Sequence, residues 1–225
     1  MQIIPVIDLK DGLVVHAVRG DRVNYQTIDR HSVLTRSSDI DSVLAGFLTL
    51  HPFKRFYIAD LNAIDGSGNH DELIQTLANA HPAIEFWLDN GKQLAAINND
   101  QPNLKWVIGT ESQQTHPLKI KHEFILSLDF KNDRPAGLSD WFSQPQFWPS
   151  NIIVMTLSRV GSNSGPDFEK LNVLTKSHPN KQFIAAGGVR NFNDLLQLKS
   201  IGVSSTLLAT ALHSGRISRR DIQNL

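Results

Sequence analysis

Two apolar, β-branched runs in this chain end in a carboxylate. Ile3-Ile4-Pro5-Val6-Ile7 leads into Asp8, and Phe124-Ile125-Leu126-Ser127-Leu128 leads into Asp129. Such runs read as buried strands of a parallel sheet. An acid at the carboxyl end of such a strand stands where α/β folds place their chemistry. Two carboxylates facing each other across a small mouth suit general acid–base work, one protonated and one ionised, with their surroundings pushing the two pKa values apart. An Asp that ends a strand can also simply cap the backbone that follows. The symmetric pairing is what raises these two above that ordinary role.

A second set of residues reads as anion binding. Gly187-Gly188 after one strand, with Ala209-Thr210 after the next, matches the usual phosphate site of an eight-stranded barrel, where glycines expose backbone N–H groups to the anion. The symmetry-related position is Asn90-Gly91 with Gly109-Thr110. Asp89 stands beside it and would repel a phosphate, so the first site is expected to bind an anion and the second to bind poorly. Thr156 and Ser158, with Gly161 to Gly165, form a polar loop that either covers a substrate or is simply solvated. Trp141 either stacks on a planar ring or packs into core. His16 and Arg19 either reach an anionic substrate or lie on the surface. The nine histidines show no metal-ligand spacing, and no spaced carboxylate cluster suggests a metal. Neither a metal nor a cofactor is expected.

The elements that must position these residues alternate. After Asp8, Asp11-Gly12 signals a turn, and Leu13 to Val18 with Arg22 to Tyr25 reads as a small hairpin laid over the end of the first strand. Helical spacing follows at Asp39 to Leu50 and Asp71 to Ala80, around a strand at Arg55 to Asp60. Ile84 to Leu88 and Lys105 to Thr110 are further strands, with a short helix over Lys92 to Asn98 between them. Asp129 ends strand five, and Asn151 to Thr156 is strand six. A helix opens at Gly165-Pro166-Asp167, with Pro just inside its start. Gln182 to Ala186 is strand seven, a helix with Leu195, Leu196 and Leu198 runs to Gly202, and Ser205 to Thr210 is strand eight. The unit after strand five is short and proline-interrupted around Gln144 to Pro149, which leaves little room for a helix there; a closing helix is expected from Ile217.

Asp60 overlays on Thr156, Gly91 on Gly188 and Thr110 on Thr210 at nearly constant offset, which supports an internal repeat of four βα units. Asp8 overlays on Asp129 at a longer offset because the first quarter is longer. Two halves, about 1–120 and 121–225, make a single-domain (β/α)8 barrel; the open doubly wound sheet is disfavoured because strand eight needs strand one as a neighbour.

Composition narrows the partners. The chain has 225 residues with 22 basic and 22 acidic side chains, so nothing in its charge favours nucleic acid or an anionic membrane. It has no cysteine, which excludes disulfides, thiolate metal sites and a cysteine nucleophile. No apolar run approaches a membrane span, and no signal-peptide layout is visible at the start. A cytoplasmic monomer or weak homo-oligomer acting on a small phosphorylated molecule is the expectation.

Ile4-Pro5-Val6-Ile7-Asp8-Leu9 with Asp11-Gly12 and Gly20-Asp21, then Ser127-Leu128-Asp129 and Ala186-Gly187-Gly188-Val189-Arg190, resemble the histidine-biosynthesis family of half-barrel-repeat enzymes, the ribotide isomerase and the imidazole glycerol phosphate synthase cyclase. The isomerase is the nearer match, through Ile7-Asp8-Leu9 and Leu138-Ser139-Asp140-Trp141. The resemblance implies a metal-free Amadori rearrangement of an aminoaldose to an aminoketose. In that scheme Asp8 removes the ribose C2 proton, Asp129 opens the sugar ring, Thr156 holds the intermediate, Trp141 stacks on the imidazole, and two phosphates occupy the two symmetric sites. The chain departs from the pattern at Asp89-Asn90-Gly91-Lys92-Gln93, at Val160-Gly161, and at Ala209 and Thr210. This points to a divergent paralogue with another ligand. It is similar to the isomerase-like proteins of methylotrophs and methanogens associated with tetrahydromethanopterin-linked one-carbon metabolism, through Arg19-Gly20-Asp21-Arg22 to Tyr25. A non-catalytic relative and a cyclase-type synthase subunit are the alternatives.

Overall fold

Eight parallel strands close on themselves in the computed structural model, which describes residues 1–98 and 101–225. The barrel strands are β1 (Gln2–Lys10), β2 (Arg55–Asp60), β3 (Glu85–Asp89), β4 (Leu104–Gly109), β5 (Ile125–Lys131), β6 (Asn151–Thr156), β7 (Gln182–Ala186) and β8 (Ser205–Leu208). Each pairs in parallel with the next, and β8 pairs with β1 from Gln2↔Ser205 to Pro5↔Leu208, so the sheet has no open edge. This is the (β/α)8 barrel expected from the sequence; the open-sheet alternative is excluded by the β8–β1 ladder.

Side chains alternate along each strand and separate into two layers. Ile4, Tyr57, Trp87, Val107, Ile125, Ile153, Ile184 and Leu207 form the inner cluster that fills the barrel. Ile3, Ile7, Phe56, Ile58, Ile108, Leu126, Ile152 and Phe183 face outward, into the larger cluster beneath the helices. The helices are α1 (Ile40–Leu50), α2 (Leu61–Asp65), α3 (Asp71–Ala80), α4 (Asp140–Ser143), α5 (Phe168–Ser177), α6 (Phe192–Ser200), α7 (Thr210–His213) and α8 (Arg219–Gln223). Their starts are capped as the sequence allows: Asp39, Asp167, Asn191 and Ser218 each accept a backbone N–H from the first turn.

The helical shell is thin on one flank. Among the described residues between β3 and β4 only a 3-10 turn at Leu94–Ala96 stands, where a helix over Lys92 to Asn98 was expected. A second 3-10 turn at Thr110–Ser112 follows β4, and the connection from β5 to β6 holds one helical turn, α4, as its proline-interrupted sequence suggested. Two indoles fill this flank. Trp141 and Trp148 are both buried; Trp141 Nε1 donates to the Thr115 carbonyl at 2.9 Å, and Trp148 Nε1 to the Trp141 carbonyl at 2.7 Å.

Three local expectations are corrected. The hairpin over β1 pairs Leu13–His16 with Gln26–Thr27, while Arg22–Asn24 is a 3-10 turn between them. Pro166 precedes the N-cap Asp167 instead of lying inside the helix, because the Asp167 carboxylate caps Lys170 N. Thr210 opens α7 instead of ending β8. α2 was not expected at all.

Candidate functional site

A cavity opens at the carboxyl end of the strands. Asp8, Tyr57, Asp89, Glu111, Asp129, Met155, Gly187, Gly188, Leu207, Ala209 and Thr210 line it, with Arg22 and Tyr25 over its mouth. Strand register decides which strand-end acids enter. Asp8 pairs with Ala59, and Ala59 with Asp89, so these three share one inward-facing row. Asp60 is one position further along β2 and faces outward. There it is wholly buried and fully used: its carboxylate accepts Ala63 N at 3.2 Å, His70 N at 2.7 Å and His70 Nδ1 at 2.8 Å. His70 Nε2 in turn meets Gly12 N at 2.8 Å, and Asn62 exchanges two hydrogen bonds with Asp11. This network pins the turn that follows Asp8.

The three inward acids differ in what holds them. Asp129 is 4% exposed. It accepts Ser127 Oγ at 2.6 Å, Glu111 N at 3.0 Å and Thr110 Oγ1 at 3.3 Å. Burial nonetheless pushes its pKa up to about 8, aided by the charges of Asp89 and Glu111. Asp89 accepts Tyr57 Oη at 3.0 Å and Gly91 N at 3.3 Å, and burial raises it to about 6. Asp8 has no hydrogen-bond partner for its carboxylate among the described residues, and burial raises it to about 7 against the pull of the Arg22 guanidinium. At neutral pH this leaves Asp129 mostly protonated and Asp8 partly ionised, across one cavity.

Gly109 lies between Asp89 and Asp129. A methyl group placed on it would stand 3.2 Å from Asp129 Oδ2 and 3.3 Å from Asp89 Oδ2. Its expected role beside a phosphate is therefore replaced by another: it makes room for two converging carboxylates. Arg22 reaches over this end and is held by Asp65 at 2.7 Å and Glu111 at 2.6 Å. Burial opposes its charge, but the two carboxylates outweigh that and raise its pKa above the ordinary value.

At the opposite end, Gly187 and Gly188 adopt φ +98° and +89°, and a Cβ on Gly188 would lie 2.3 Å from the Gly165 carbonyl oxygen. Only glycine fits this approach of the β6–α5 loop. The N–H groups of Gly188 and Thr210 make no hydrogen bond to a described residue. The Thr210 hydroxyl meets His16 Nε2 at 3.1 Å.

The structure thus brings together Asp8, Asp129, Gly187, Gly188, Ala209 and Thr210. It places the other candidates elsewhere. Thr156 pairs with outward-facing Phe130, while Met155 pairs with Asp129 and takes the inner position; Thr156 is buried outside the cavity. Thr110 lies beneath the site as a ligand of Asp129. Gly91 lines a separate outer recess with Gln93, Ser112 and Gln113, and Asn90 has a buried side-chain oxygen with no partner. Trp141 sits in core, its indole 1% exposed, far from any role as a ring platform in this conformation. Arg19 is exposed and borders a shallow groove with His16 and His31. Among the described residues, no group of three His, Asp or Glu side chains is arranged to hold a metal. Sequence reading missed Tyr57, Arg22 and Glu111. Tyr57 was findable, since it shares the inward parity of Ala59; the loop residues carried no such signal.

A closed parallel barrel with carboxylates around one strand-end cavity places the protein among the (β/α)8 barrels. The chain belongs to the histidine biosynthesis protein family, whose sequence model matches residues 2–116 and 123–218. An uncharacterized protein of Methanocaldococcus jannaschii is 29% identical over 229 residues, spanning 100% of this chain and 98% of its own length. An enzyme of Listeria innocua named as a phosphoribosyl imidazole-4-carboxamide isomerase is 27% identical over 242 residues, spanning 99% of this chain and 97% of its own. The enzyme of the same name in Phocaeicola vulgatus is 25% identical over 253 residues, with 99% and 98% spanned. No helix among the described residues is long and apolar enough to cross a membrane.

Proposed function

We propose that this cavity catalyses a metal-free aldose–ketose isomerisation of a phosphorylated ribosyl-type ligand. The observation that carries the reading is the pair Asp8 and Asp129, from opposite sides of the barrel, facing one cavity in environments that favour different protonation states. Asp129 gives its proton to the ring oxygen as the C1–O bond breaks, and the amine lone pair on C1 forms the C=N bond. Asp8 takes the C2 proton; the C2–H electrons form C1=C2, and nitrogen regains its lone pair. Loss of the C2 hydroxyl proton and protonation at C1 then give the aminoketose. The anion of the ligand rests against Gly187, Gly188 and Thr210, and the N–H groups of Gly188 and Thr210, which have no partner among the described residues, support that placement.

Two family relatives are named for an isomerase whose substrate carries phosphoribosyl groups, so an N-substituted ribosylamine 5-phosphate, which presents the same aminoaldose with a single phosphate, is the first compound to test. Conversion of aldose to ketose would be followed by chromatography, with transfer of solvent deuterium to the product as a second readout. Turnover is expected, with a pH profile that rises near 7 and falls near 8. Asp8→Asn should lower it by roughly 10²- to 10⁴-fold. Turnover unchanged in Asp8→Asn would refute the assignment of the base, and no conversion or deuterium exchange in the native protein would refute this reaction on this ligand.

A further inference from the structure

The two ends of the cavity differ in which backbone amides remain available. At the β7–β8 end the Gly188 and Thr210 N–H groups have no described partner. At the β3–β4 end two loop amides are already taken by the protein's own carboxylates. Gly91 N donates to Asp89 Oδ1 at 3.3 Å, and Glu111 N donates to Asp129 Oδ2 at 3.0 Å. The cation lining this end of the cavity, Arg22, is also occupied, because it is bound to Asp65 and Glu111. α2 also rests directly on the loop after β3, where a Cβ on Gly91 would lie 3.2 Å from the Ile64 Cα, and Gly91 faces an outer recess instead of the cavity. Around the whole cavity, Asp8, Asp89, Glu111 and Asp129 stand against the single guanidinium of Arg22.

We infer that the ligand of this cavity carries one phosphate, not two, and that Asp89 and Glu111 are the residues that set this specificity. The phosphate sits at the β7–β8 end. The far end of the ligand meets Asp89 and the Arg22–Glu111 pair, where a second phosphate would face two carboxylates. A hydroxyl or amine suits that end, since it can donate to acceptors the protein leaves exposed. This rests on the reading of the cavity as a site for a phosphorylated ligand, but it concerns binding and not turnover.

The test is calorimetric titration of the purified protein with ribose 5-phosphate and with ribulose 1,5-bisphosphate. The native chain should bind the monophosphate at least about tenfold more tightly than the bisphosphate, at one phosphate site per chain. Asp89→Asn with Glu111→Gln removes two charges while keeping side-chain size and frees Arg22 from one partner; it should bring the ratio to near one or invert it. Glu111→Gln alone, at a partly exposed side chain, serves if the double variant does not fold, and should shift the ratio in the same direction. Tighter binding of the bisphosphate by the native chain, an unchanged ratio in the variants, or failure to bind either sugar would overturn the inference. A chain that prefers the monophosphate yet isomerises nothing keeps this inference and loses the proposed reaction.

Discussion

Replacing Asp129 by Asn should make the protein more stable at alkaline pH while disabling its chemistry. Burial holds the Asp129 carboxyl at about 8, far above its value of 3.8 in an unfolded chain. Between those limits the native state keeps a proton that the unfolded chain has released. The unfolded state therefore binds fewer protons, and stability falls as pH rises from about 4 to about 8. The full difference corresponds to roughly 6 kcal/mol above pH 8 and to nothing below about pH 4. Asp89 titrates together with Asp129, and part of the cost belongs to their mutual repulsion, so one substitution should recover about 2–3 kcal/mol. Asn can still accept from Glu111 N and Thr110 Oγ1 on one atom and donate to Ser127 Oγ with the other, so the hydrogen-bond frame survives. Urea denaturation of both proteins near pH 4 and near pH 9 measures this directly. The gain should appear near pH 9 and shrink to about zero near pH 4. An equal effect at the two pH values would show that the carboxyl is not held protonated by its surroundings, and the acid role of Asp129 would lose its physical basis.

Two further substitutions test the frame around the site. Asp60→Ala strips the caps from Ala63 N and His70 N together with the contact to the His70 ring; a loss of about 2–3 kcal/mol in urea denaturation is expected, and a loss below about 0.5 kcal/mol would contradict the structural role given to it. Trp141→Ala should cost about 3–5 kcal/mol as a core truncation, yet leave the affinity for ribose 5-phosphate within about twofold; a large drop in affinity at unchanged stability would return Trp141 to the ligand.

Much of this barrel was legible because parallel strands buried on both faces produce unmistakable apolar runs, and the boundaries of β2, β6 and β7 fall where the sequence placed them. What it could not show was parity at the strand ends. Asp60 and Asp89 both close apolar runs, yet one residue of register sends the first outward to cap α2 and the second inward beside Asp129. Thr156 failed as a site residue for the same reason, since alternation along β6 hands the inner position to Met155. Loop residues were harder still. Arg22 reaches Glu111 across 89 positions of chain, and no local pattern encodes a contact of that span. The helix expected over Lys92 to Asn98 is only a 3-10 turn at Leu94–Ala96, whereas the prolines at 145 and 149 did mark where the shell would thin, but not that Trp141 would turn inward to fill it.

The pin between Asp60, His70 and the Gly12 turn has a bearing on how such a barrel can change its trade. It fastens the backbone beyond Asp8 to residues on the outward face, none of which borders the cavity. The carboxylate proposed as the base is thus anchored by one set of residues, and the residues proposed to choose the ligand belong to another. Selection can rewrite the loops after β3 and β4, exchanging bare amides for carboxylates, without loosening the base. Inheritance of the reaction and invention of a new substrate are in this architecture separate events.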